Sequence, residues 1–281
     1  MRRTTATSIA VALVAMTALP AAAERPPHWD ERVACADVFV IGVRGSGEDR
    51  RVDDAERGFG PRAVALLDAA AQMLLSRGIR LAAASVDYPA IGVDDAARSV
   101  FSFEPKGYDD SVDAGVTDLG HLVTEVRSRC PGAVIVLVGY SQGAEVIRLA
   151  LSRRVVVADN DIAAVVLVSD PGFNAADARS GVNLRGTYSS SRTGVRRSTL
   201  SLVTPTGIAE RTFSLCNAGD IVCQMYRGPL PLALLDWNGA IDVHRSYGIG
   251  DVLPILQRDV LPLIAARLDP AALGRFVRIP F

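Results

Sequence analysis

Residues 136 to 146 of this 281-residue chain read VLVGYSQGAEV, and they contain the pattern Gly-x-Ser-x-Gly at the border between two kinds of segment. The run before Gly139 is continuously apolar, as in a buried strand, and the residues after Gly143 follow a helical pattern. A serine in such a strand-to-helix turn fits a nucleophile elbow, where glycines let neighbouring backbone pass closely. The pattern also fits any tight turn, so the interpretation depends on whether Ser141 has a base, an acid and oxyanion donors as partners.

Short apolar runs alternate with helical patterns along most of the chain. This alternation predicts an α/β fold, in which a parallel sheet is covered by helices on both faces. We expect five strands, at residues 38–43, 79–87, 133–138, 162–169 and 212–216. We expect the main helices at residues 61–77, 108–129, 142–153 and 252–268. Functional groups of such sheets gather at the carboxyl ends of the strands.

The first 23 residues have the order of a secretory signal peptide. Two arginines precede an apolar stretch, residues 9–19, and three alanines ending at Ala23 provide a cleavage site. A membrane anchor is the alternative, but the apolar stretch is short and Pro20 interrupts it. We therefore expect residues 1–23 to be cleaved from a protein exported to the extracellular space or cell envelope. Residues 24–281 have a length that suits a single domain.

Charge and composition exclude one class of partner and single out one segment. The formal net charge of −1 gives no support to nucleic-acid binding. Residues 179–206 are rich in serine, threonine, glycine and arginine. A basic patch for an acidic surface or lipid headgroups is one interpretation of this segment, and a solvated, mobile loop is the one that its composition favours.

The four cysteines of the chain predict two disulfides, because an even number in an exported protein usually means complete pairing. Cys216 and Cys223 are close in sequence and pair naturally, which leaves Cys35 with Cys130. A zinc site is the alternative, but the spacing is unsuitable and no histidine lies near a cysteine in the sequence. We expect neither a metal nor a cofactor.

Three histidines are the only candidates for a histidine base. His28 lies in the proline-rich stretch after the predicted signal peptide, and His121 lies inside a predicted helix. His244 is the only histidine that follows Ser141. That position suits the order nucleophile, acid, base in which α/β-hydrolases place their triad, so His244 is the predicted base.

An acid is then expected between the nucleophile and the base. Asp220 is the favoured candidate, because it follows a predicted strand and lies inside the ring that a Cys216–Cys223 disulfide would close. Such a ring would hold the carboxylate rigidly, as an orienting acid requires. The residues around it are also good turn formers, so a turn residue is the alternative. Asp170 is the main rival, although the Pro-Gly pair after it suggests a strand-ending turn.

The oxyanion of an acyl-transfer reaction needs preorganised N–H donors. Gln142 follows the predicted nucleophile at a helix N-terminus, where the helix dipole favours negative charge. A second donor is expected from the loop after the first strand, where Ser46 lies between two glycines. A phosphate-binding turn is the alternative for that loop, but the pattern Gly-x-Gly-x-x-Gly is not complete there.

Together these motifs resemble the cutinase family, in its actinobacterial cutinase-like branch. The matching pieces, in family order, are RGSGE at 44–48, VDYPA at 86–90, YDDSV at 108–112, CPG at 130–132, GYSQG at 139–143 and the 216–223 ring. The resemblance implies a lidless or lightly covered α/β-hydrolase with a central five-stranded parallel sheet and the two disulfides proposed above. It implies Ser141 as nucleophile, Asp220 as acid, His244 as base, and Ser46 and Gln142 as oxyanion donors.

The resemblance also implies the activity. A secreted serine esterase of this family would hydrolyse lipid-like carboxylic esters through an acyl-enzyme. Phospholipase, thioesterase and acyl transfer to cell-envelope lipids are related activities, and a non-catalytic surface-binding protein on the same fold is the alternative of another class. We expect a monomer whose partner is an ester or lipid substrate, and peripheral contact with a lipid surface is compatible with that role.

Two segments depart from the family pattern. Residues 49–57 form a charged insertion, and residues 224–243 are longer than the usual spacing between acid and base. The second segment contains several leucines and Trp237, and exposing such side chains forgoes roughly 1.5 to 3 kcal/mol each. We predict that it forms a wall or partial cover of an acyl pocket for medium or long chains. Packing as an ordinary buried loop is the alternative.

Overall fold

The structure of the protein is a computed structural model. It describes residues 35–48, 58–92, 106–157, 160–174, 177, 181–186, 193–196, 202–224 and 237–268. These residues build a parallel sheet between two layers of helices, so the predicted α/β class is confirmed. The predicted signal peptide, His28 and the charged insertion at 49–57 lie outside the described residues, as does most of the segment 224–243.

Six parallel strands form the sheet of the described residues, in the order β2-β1-β3-β4-β6-β5. They are β1 (Val38–Val43), β2 (Leu81–Ser85), β3 (Val134–Tyr140), β4 (Ile162–Val168), β5 (Asn183–Gly186) and β6 (Thr212–Cys216). The expectation of five strands is therefore wrong by one. The additional strand is β5, a short edge strand without an apolar run, and its residues are half-buried or exposed. Periodicity cannot detect such a strand, because only its pairing with β6 defines it.

Strand β5 also corrects the interpretation of the segment 179–206. Part of this segment is sheet, and Arg185 of β5 pairs with Asp259 at 3.1 Å while its guanidinium lies 5.6 Å from the centre of the Phe213 ring. A second arginine of the segment, Arg196, is buried. Arg185 and Arg196 are therefore used in internal contacts and not in a basic surface patch, and the other arginines of the segment lie outside the described residues.

The helices cover both faces of the sheet. They are α1 (Pro61–Leu75), α2 (Lys106–Arg129), α3 (Gln142–Ser152), α4 (Thr206–Ala209), α5 (Trp237–Arg245), α6 (Ile249–Ile255) and α7 (Leu261–Ala265), with a π-helical turn (Leu256–Val260) between the last two. Among the described residues, no helix combines the length and the apolar character that crossing a membrane requires.

The predicted closing helix, 252–268, is broken into these last three pieces. Pro254 lies inside α6, and Pro262 lies in the first turn of α7. Proline lacks the N–H that a regular helix needs at each interior position, so the chain continues here through a π-helical turn.

Among the described residues, a large hydrophobic core lies on each face of the sheet. Alternate residues of β1 show this, since Phe39 and Ile41 pack in the core with α2 and α3, whereas Val38 and Val40 pack in the core with α1, α6 and α7. Because both faces are buried, the strands appear in the sequence as continuous apolar runs and not as alternating ones.

The strand order creates a topological switch point between β1 and β3. From β1 the chain passes to β2 on one side, and β3 then pairs with β1 on the other side. Val43 aligns with Gly139 in the register of this pair, so both strands end at the same edge of the sheet. In open α/β sheets such a point is where ligands bind, because the two loops separate there.

Both disulfides have the predicted pairing. Cys35–Cys130 joins the residues that precede β1 and follow α2, and Cys216–Cys223 closes a small ring directly after β6. The first links the starts of two neighbouring strands, and the second lies at the edge of the sheet where the strands end.

Candidate active site

Ser141 lies between β3 and α3 in a conformation that non-glycine residues rarely adopt. Its φ is 52° and its ψ is −121°, values that cost roughly 1–3 kcal/mol and persist only where surrounding contacts impose them. Its backbone N–H donates to the carbonyl of Val168 at 2.8 Å, so the turn begins while the chain is still hydrogen-bonded to β4. The strand-to-helix turn predicted for Ser141 is therefore present.

The two glycines of the motif are required by close backbone contacts. A Cβ at Gly143 would collide with the carbonyl oxygens of Val43 and Arg44, because the first turn of α3 rests on the end of β1. A Cβ at Gly139 would in turn collide with the backbone of Gly143. The serine turn and the end of β1 are thereby in direct backbone contact at the edge where both strands end.

His244 lies in the last turn of α5, and its imidazole reaches Ser141. The distance from His244 Nε2 to Ser141 Oγ is 3.0 Å. Tyr140 supports this arrangement in two ways: its hydroxyl donates to the His244 carbonyl oxygen at 2.7 Å, and the two rings stack with centroids 5.3 Å apart. The base predicted from the sequence is thus in hydrogen-bond range of the predicted nucleophile.

Asp220 lies on the other side of the imidazole, 3.3 Å from His244 Nδ1 through either carboxylate oxygen. The backbone N–H of Val222 donates to Oδ1 at 2.9 Å, and the hydroxyl of Tyr247 donates to Oδ2 at 2.8 Å. Burial opposes ionisation, but hydrogen bonds from His244, Ser169 and Tyr247 outweigh it and lower the pKa of Asp220. Asp220 is therefore both the turn residue of its ring and a carboxylate directed at the base.

Ser169 is a site residue that the sequence analysis did not predict. It is buried at the end of β4, where its Oγ lies 2.7 Å from His244 Nδ1 and donates to Asp220 Oδ2. Its position directly after a parallel strand beside β3 is the signal that could have found it. Tyr247 was missed as well, because it precedes α6 and no periodic pattern includes it.

Asp170, the rival acid, points into a different buried cluster. Arg148 of α3 donates from Nε to Asp170 and from Nη1 to Asp177, and the backbone N–H of Gly172 donates to Asp170 at 2.8 Å. All three charged side chains are fully buried. Asp170 therefore fixes the loop after β4 against α3, and its described hydrogen bonds do not include the base.

A second buried cluster supports α3 from the side of α2. The hydroxyl of Tyr108 donates to Glu145 at 2.7 Å, and Arg196 Nε donates to the same carboxylate at 3.1 Å. Burial raises the pKa of Glu145, although Arg196 and Tyr108 offset part of that effect. With Arg148, these contacts hold the helix that carries the serine turn on two sides.

The loop after β1 is held by the side chain of Arg44. This buried guanidinium donates to the carbonyl oxygens of Glu48 at 2.8 Å and Val86 at 3.1 Å, and also to that of Tyr88. The Tyr88 hydroxyl donates back to the carbonyl of Arg44. Ser46, inside this loop, is half-buried. The loop therefore has a defined shape, as a preorganised donor requires.

Arg62 of α1 connects the same loop to the helix of the base. It pairs with Glu48 at 2.6 Å, and Glu48 accepts the Gly45 N–H at 2.7 Å. The guanidinium lies 4.7 Å from the centre of the Tyr140 ring and donates to the carbonyl of Arg245 at 2.8 Å. One side chain thus contacts the loop after β1, the end of β3 and the end of α5.

The predicted oxyanion donors lie on the two segments that follow β1 and β3, where α3 packs against the end of β1. Gln142 is the first residue of α3, and Ser46 lies in the loop against which α3 packs. Within the described part of the chain, neither backbone N–H donates to a protein acceptor.

The remaining candidates have other environments. His121 is exposed on α2. Cys216, Asp220 and Cys223 cluster as metal ligands would, but both sulfurs are joined in the disulfide and the carboxylate accepts four hydrogen bonds from protein groups. Among the described residues, the candidate ligand atoms of this cluster are therefore already engaged within the ring that the disulfide closes.

Comparison with known proteins identifies a family for this chain. A family model described as Cutinase matches residues 34–232. Cutinase CUT1 of Coprinopsis cinerea is 27% identical over 225 residues, which cover 79% of this chain and 86% of that protein. A cutinase of Botryotinia fuckeliana is 28% identical over 194 residues, which cover 69% of this chain and 73% of that protein.

Among solved structures, the catalytic core domain of acetyl xylan esterase from Trichoderma reesei has the same fold, with a TM-score of 0.54 and 20% identity. The match covers 84% of this chain and 100% of that one. A match of the family model to more than two thirds of the sequence, joined with this fold, leads to one conclusion: the chain belongs to the cutinase family of carboxylic-ester hydrolases.

Proposed function

We propose that this protein is a secreted serine esterase that hydrolyses lipid-like carboxylic esters through Ser141, His244 and Asp220. The observation that carries the proposal is the 3.0 Å distance between Ser141 Oγ and His244 Nε2, at a strained strand-to-helix turn with a buried carboxylate behind the imidazole. A nucleophile, a base and an orienting acid in this relation are what acyl transfer through a covalent intermediate requires.

In the acylation step, Ser141 attacks the ester carbonyl while His244 Nε2 accepts its hydroxyl proton. The resulting imidazolium then gives that proton to the departing alcohol. Water attacks the acyl-enzyme in the second step, with His244 again as general base, and the carboxylic acid is released. Asp220 stays ionised through the cycle, in agreement with its lowered pKa, and it orients the ring and stabilises the imidazolium.

The backbone N–H groups of Gln142 and Ser46 are the proposed oxyanion donors. The N-terminus of α3 adds its dipole at the same place. Because the loop of Ser46 is fixed by Arg44 and Arg62, its donor costs little reorganisation when the charge develops.

Lipid-like esters are the proposed substrate class, because the family relatives named above are cutinases and the segment 224–243 between acid and base is apolar in sequence. We propose that this segment borders the acyl chain. A relative that covers less of the chain, acetylxylan esterase 2 of Talaromyces purpureogenus, is 29% identical over 121 residues, so acetyl esters of carbohydrates form the second candidate class.

Secretion, a single domain after residue 23 and a monomeric state are parts of the same proposal. The signal-like order of residues 1–23 and the two disulfides support export, since disulfides persist in oxidising compartments. The resemblance to the actinobacterial branch stays a prediction, because the curated relatives named above are fungal.

A fluorophosphonate probe tests the reaction class directly. We expect one probe per molecule of the mature protein, bound to Ser141, and no labelling of Ser141→Ala. Ser111→Ala is a matched control, because Ser111 is also a buried serine close to α3 and should not be modified. Absence of labelling in the folded parent protein would favour a non-catalytic binding protein.

A substrate panel tests the class of ester. It contains p-nitrophenyl esters from acetate to palmitate, phospholipids, acyl-CoA thioesters and acetylated xylan, each assayed with and without an alcohol as acyl acceptor. We expect the highest kcat/KM on medium or long acyl chains, with water as the acceptor. A preference for acetyl esters would favour the carbohydrate-ester alternative, and product esters in the presence of alcohol would identify acyl transfer.

A further inference from the structure

The Nδ1 atom of His244 has a nearer oxygen than either oxygen of Asp220. Ser169 Oγ lies 2.7 Å from Nδ1, whereas the two carboxylate oxygens both lie at 3.3 Å. The same hydroxyl is hydrogen-bonded to Asp220 Oδ2. Ser169 therefore contacts both residues that the triad would join, and its hydroxyl is the nearer partner of the imidazole.

The direction of each hydrogen bond follows from the proposed role of the base. If Nε2 accepts the proton of Ser141, the neutral imidazole carries its own proton on Nδ1. As the nearest oxygen, Ser169 Oγ then accepts from Nδ1, and its single hydroxyl proton is donated to the Asp220 carboxylate. Since an ionised carboxylate only accepts hydrogen bonds, every donor has an acceptor in this arrangement, and Nδ1–H is directed to its nearest oxygen.

We propose that Ser169 is a positioning residue that links His244 to Asp220, so that the acid acts on the base chiefly through the Ser169 hydroxyl. No bond to hydrogen is made or broken along this link. When Nε2 becomes protonated, Nδ1–H still donates to Ser169 and Ser169 still donates to Asp220, and both bonds strengthen because one end is now a full positive charge.

The surroundings hold Ser169 and Asp220 in this relation. The backbone N–H of Ser169 donates to the carbonyl of Leu215 at 2.8 Å, which extends the pairing of β4 with β6 by one residue. Its φ of 53° is unusual for a non-glycine residue, which points to a conformation imposed by its neighbours. Asp220 is held in turn by Val222 and Tyr247, with both carboxylate oxygens farther from Nδ1 than the Ser169 hydroxyl is.

Kinetics of hydroxyl-deletion variants provide the first test. Ser169→Gly suits the positive φ, and Ser169→Ala keeps the Cβ; we expect both to lower kcat by about 10- to 100-fold at unchanged KM, the range for one hydrogen bond in a charged network. Ser85→Ala is the matched control, because Ser85 is equally buried in the same sheet but lies on β2. It should leave kcat unchanged.

A double-mutant cycle separates this role from general packing. Because the hydroxyl acts through the carboxylate, Ser169→Ala should have little further effect on kcat in an Asp220→Ala background. Losses that multiply in the double variant would overturn the proposal. So would parental kcat in both Ser169→Gly and Ser169→Ala, because Asp220 would then act on His244 without the hydroxyl.

Proton and nitrogen NMR of histidine-labelled protein provides a test that does not need turnover. The three histidines make the spectrum simple, and His121→Gln assigns the exposed ring. We expect the Nδ1–H resonance of His244 to move upfield and exchange faster with water in Ser169→Gly. An unchanged resonance would overturn the proposal.

The inference rests on the proposed function, but the two fail in different ways. If the Nδ1–H resonance differs between the parent protein and Ser169→Gly but the parent protein hydrolyses no ester, only the esterase proposal is contradicted. If the parent protein hydrolyses esters but this resonance is the same in the parent protein and in Ser169→Gly, only the proposed role of Ser169 is contradicted.

Discussion

Tyr140 and His244 are connected both by a hydrogen bond and by ring stacking. The Tyr140 hydroxyl donates to the His244 carbonyl oxygen at 2.7 Å, and the rings lie 5.3 Å apart with an interplanar angle of 22°. Burial raises the pKa of Tyr140 well above its ordinary value, so the hydroxyl stays a neutral donor. Since Tyr140 directly precedes Ser141, the residue that ends β3 also fixes the turn that carries the proposed base.

Tyr140→Phe removes the hydrogen bond and keeps the stacked ring. We expect kcat to fall about 3- to 10-fold at constant KM and the free energy of unfolding to fall by about 1 kcal/mol, the usual value of one buried hydrogen bond. Ester kinetics and urea denaturation measure the two effects. Tyr140→Leu, which also removes the ring, should lower kcat further; equal kcat in the two variants would show that stacking does not position His244.

Ser141→Ala removes the proposed nucleophile. We expect kcat to fall by roughly 10⁴-fold or more, because only binding and oxyanion contacts then remain. The melting temperature should not fall, since the change to alanine removes one hydroxyl group and no packing contact. Hydrolysis of a p-nitrophenyl ester by protein purified free of host esterases is the measurement. Turnover near that of the parent protein would contradict the triad.

Asp220→Asn and Asp170→Asn should affect different properties. The first should lower kcat by about 10²- to 10⁴-fold, because His244 loses its orienting carboxylate. The second should leave kcat nearly unchanged and lower the free energy of unfolding, because it weakens the buried pair with Arg148; breaking such pairs costs about 3–5 kcal/mol. Ester kinetics and urea denaturation of both variants measure these two effects. The reverse pattern would indicate that Asp170 is the acid.

Asp220 should also make stability depend on pH. Its pKa in the folded protein is lowered, so it binds a proton more readily when unfolded, where its pKa is about 3.9. Its contribution to stability is therefore fully present above that value and is lost as pH falls through the lower folded pKa. Urea midpoints between pH 6 and pH 3 should fall less steeply for Asp220→Asn than for the parent protein. Parallel curves would contradict this prediction.

The Cys216–Cys223 disulfide should affect activity through Asp220. Cys216→Ala with Cys223→Ala opens the ring that holds Asp220 between Asn217 and Val222. We expect kcat to fall, but less than in Asp220→Asn, because the hydrogen bonds from Tyr247 and Val222 remain.

Removal of the other disulfide, by Cys35→Ala with Cys130→Ala, is the control for this experiment. That bridge lies at the opposite ends of the strands, where β1 and β3 begin. Its loss should lower the melting temperature without a comparable loss of kcat. An unchanged kcat after verified loss of the Cys216–Cys223 bridge would show that the ring does not position Asp220.

The sequence by itself determined the frame of the protein. Strands buried on both faces must be continuously apolar, so β1, β3, β4 and β6 were recognisable within one or two residues of their observed ends. Three histidines and four cysteines left few combinations, which is why His244 and both disulfide pairings followed from counting and order. The Gly-x-Ser-x-Gly motif predicted the turn because only glycine tolerates the backbone contacts there.

Only the tertiary structure decided the contacts between side chains that lie far apart in the sequence. Ser169 reaches His244 across 75 residues, and Arg148 pairs with an aspartate that is 22 residues away. Neither contact follows a local period, since each depends on which strands are neighbours and on where they end. Edge strand β5 was missed for the same reason, because its hydrogen bonds to β6, and not an apolar pattern of its own, make it a strand.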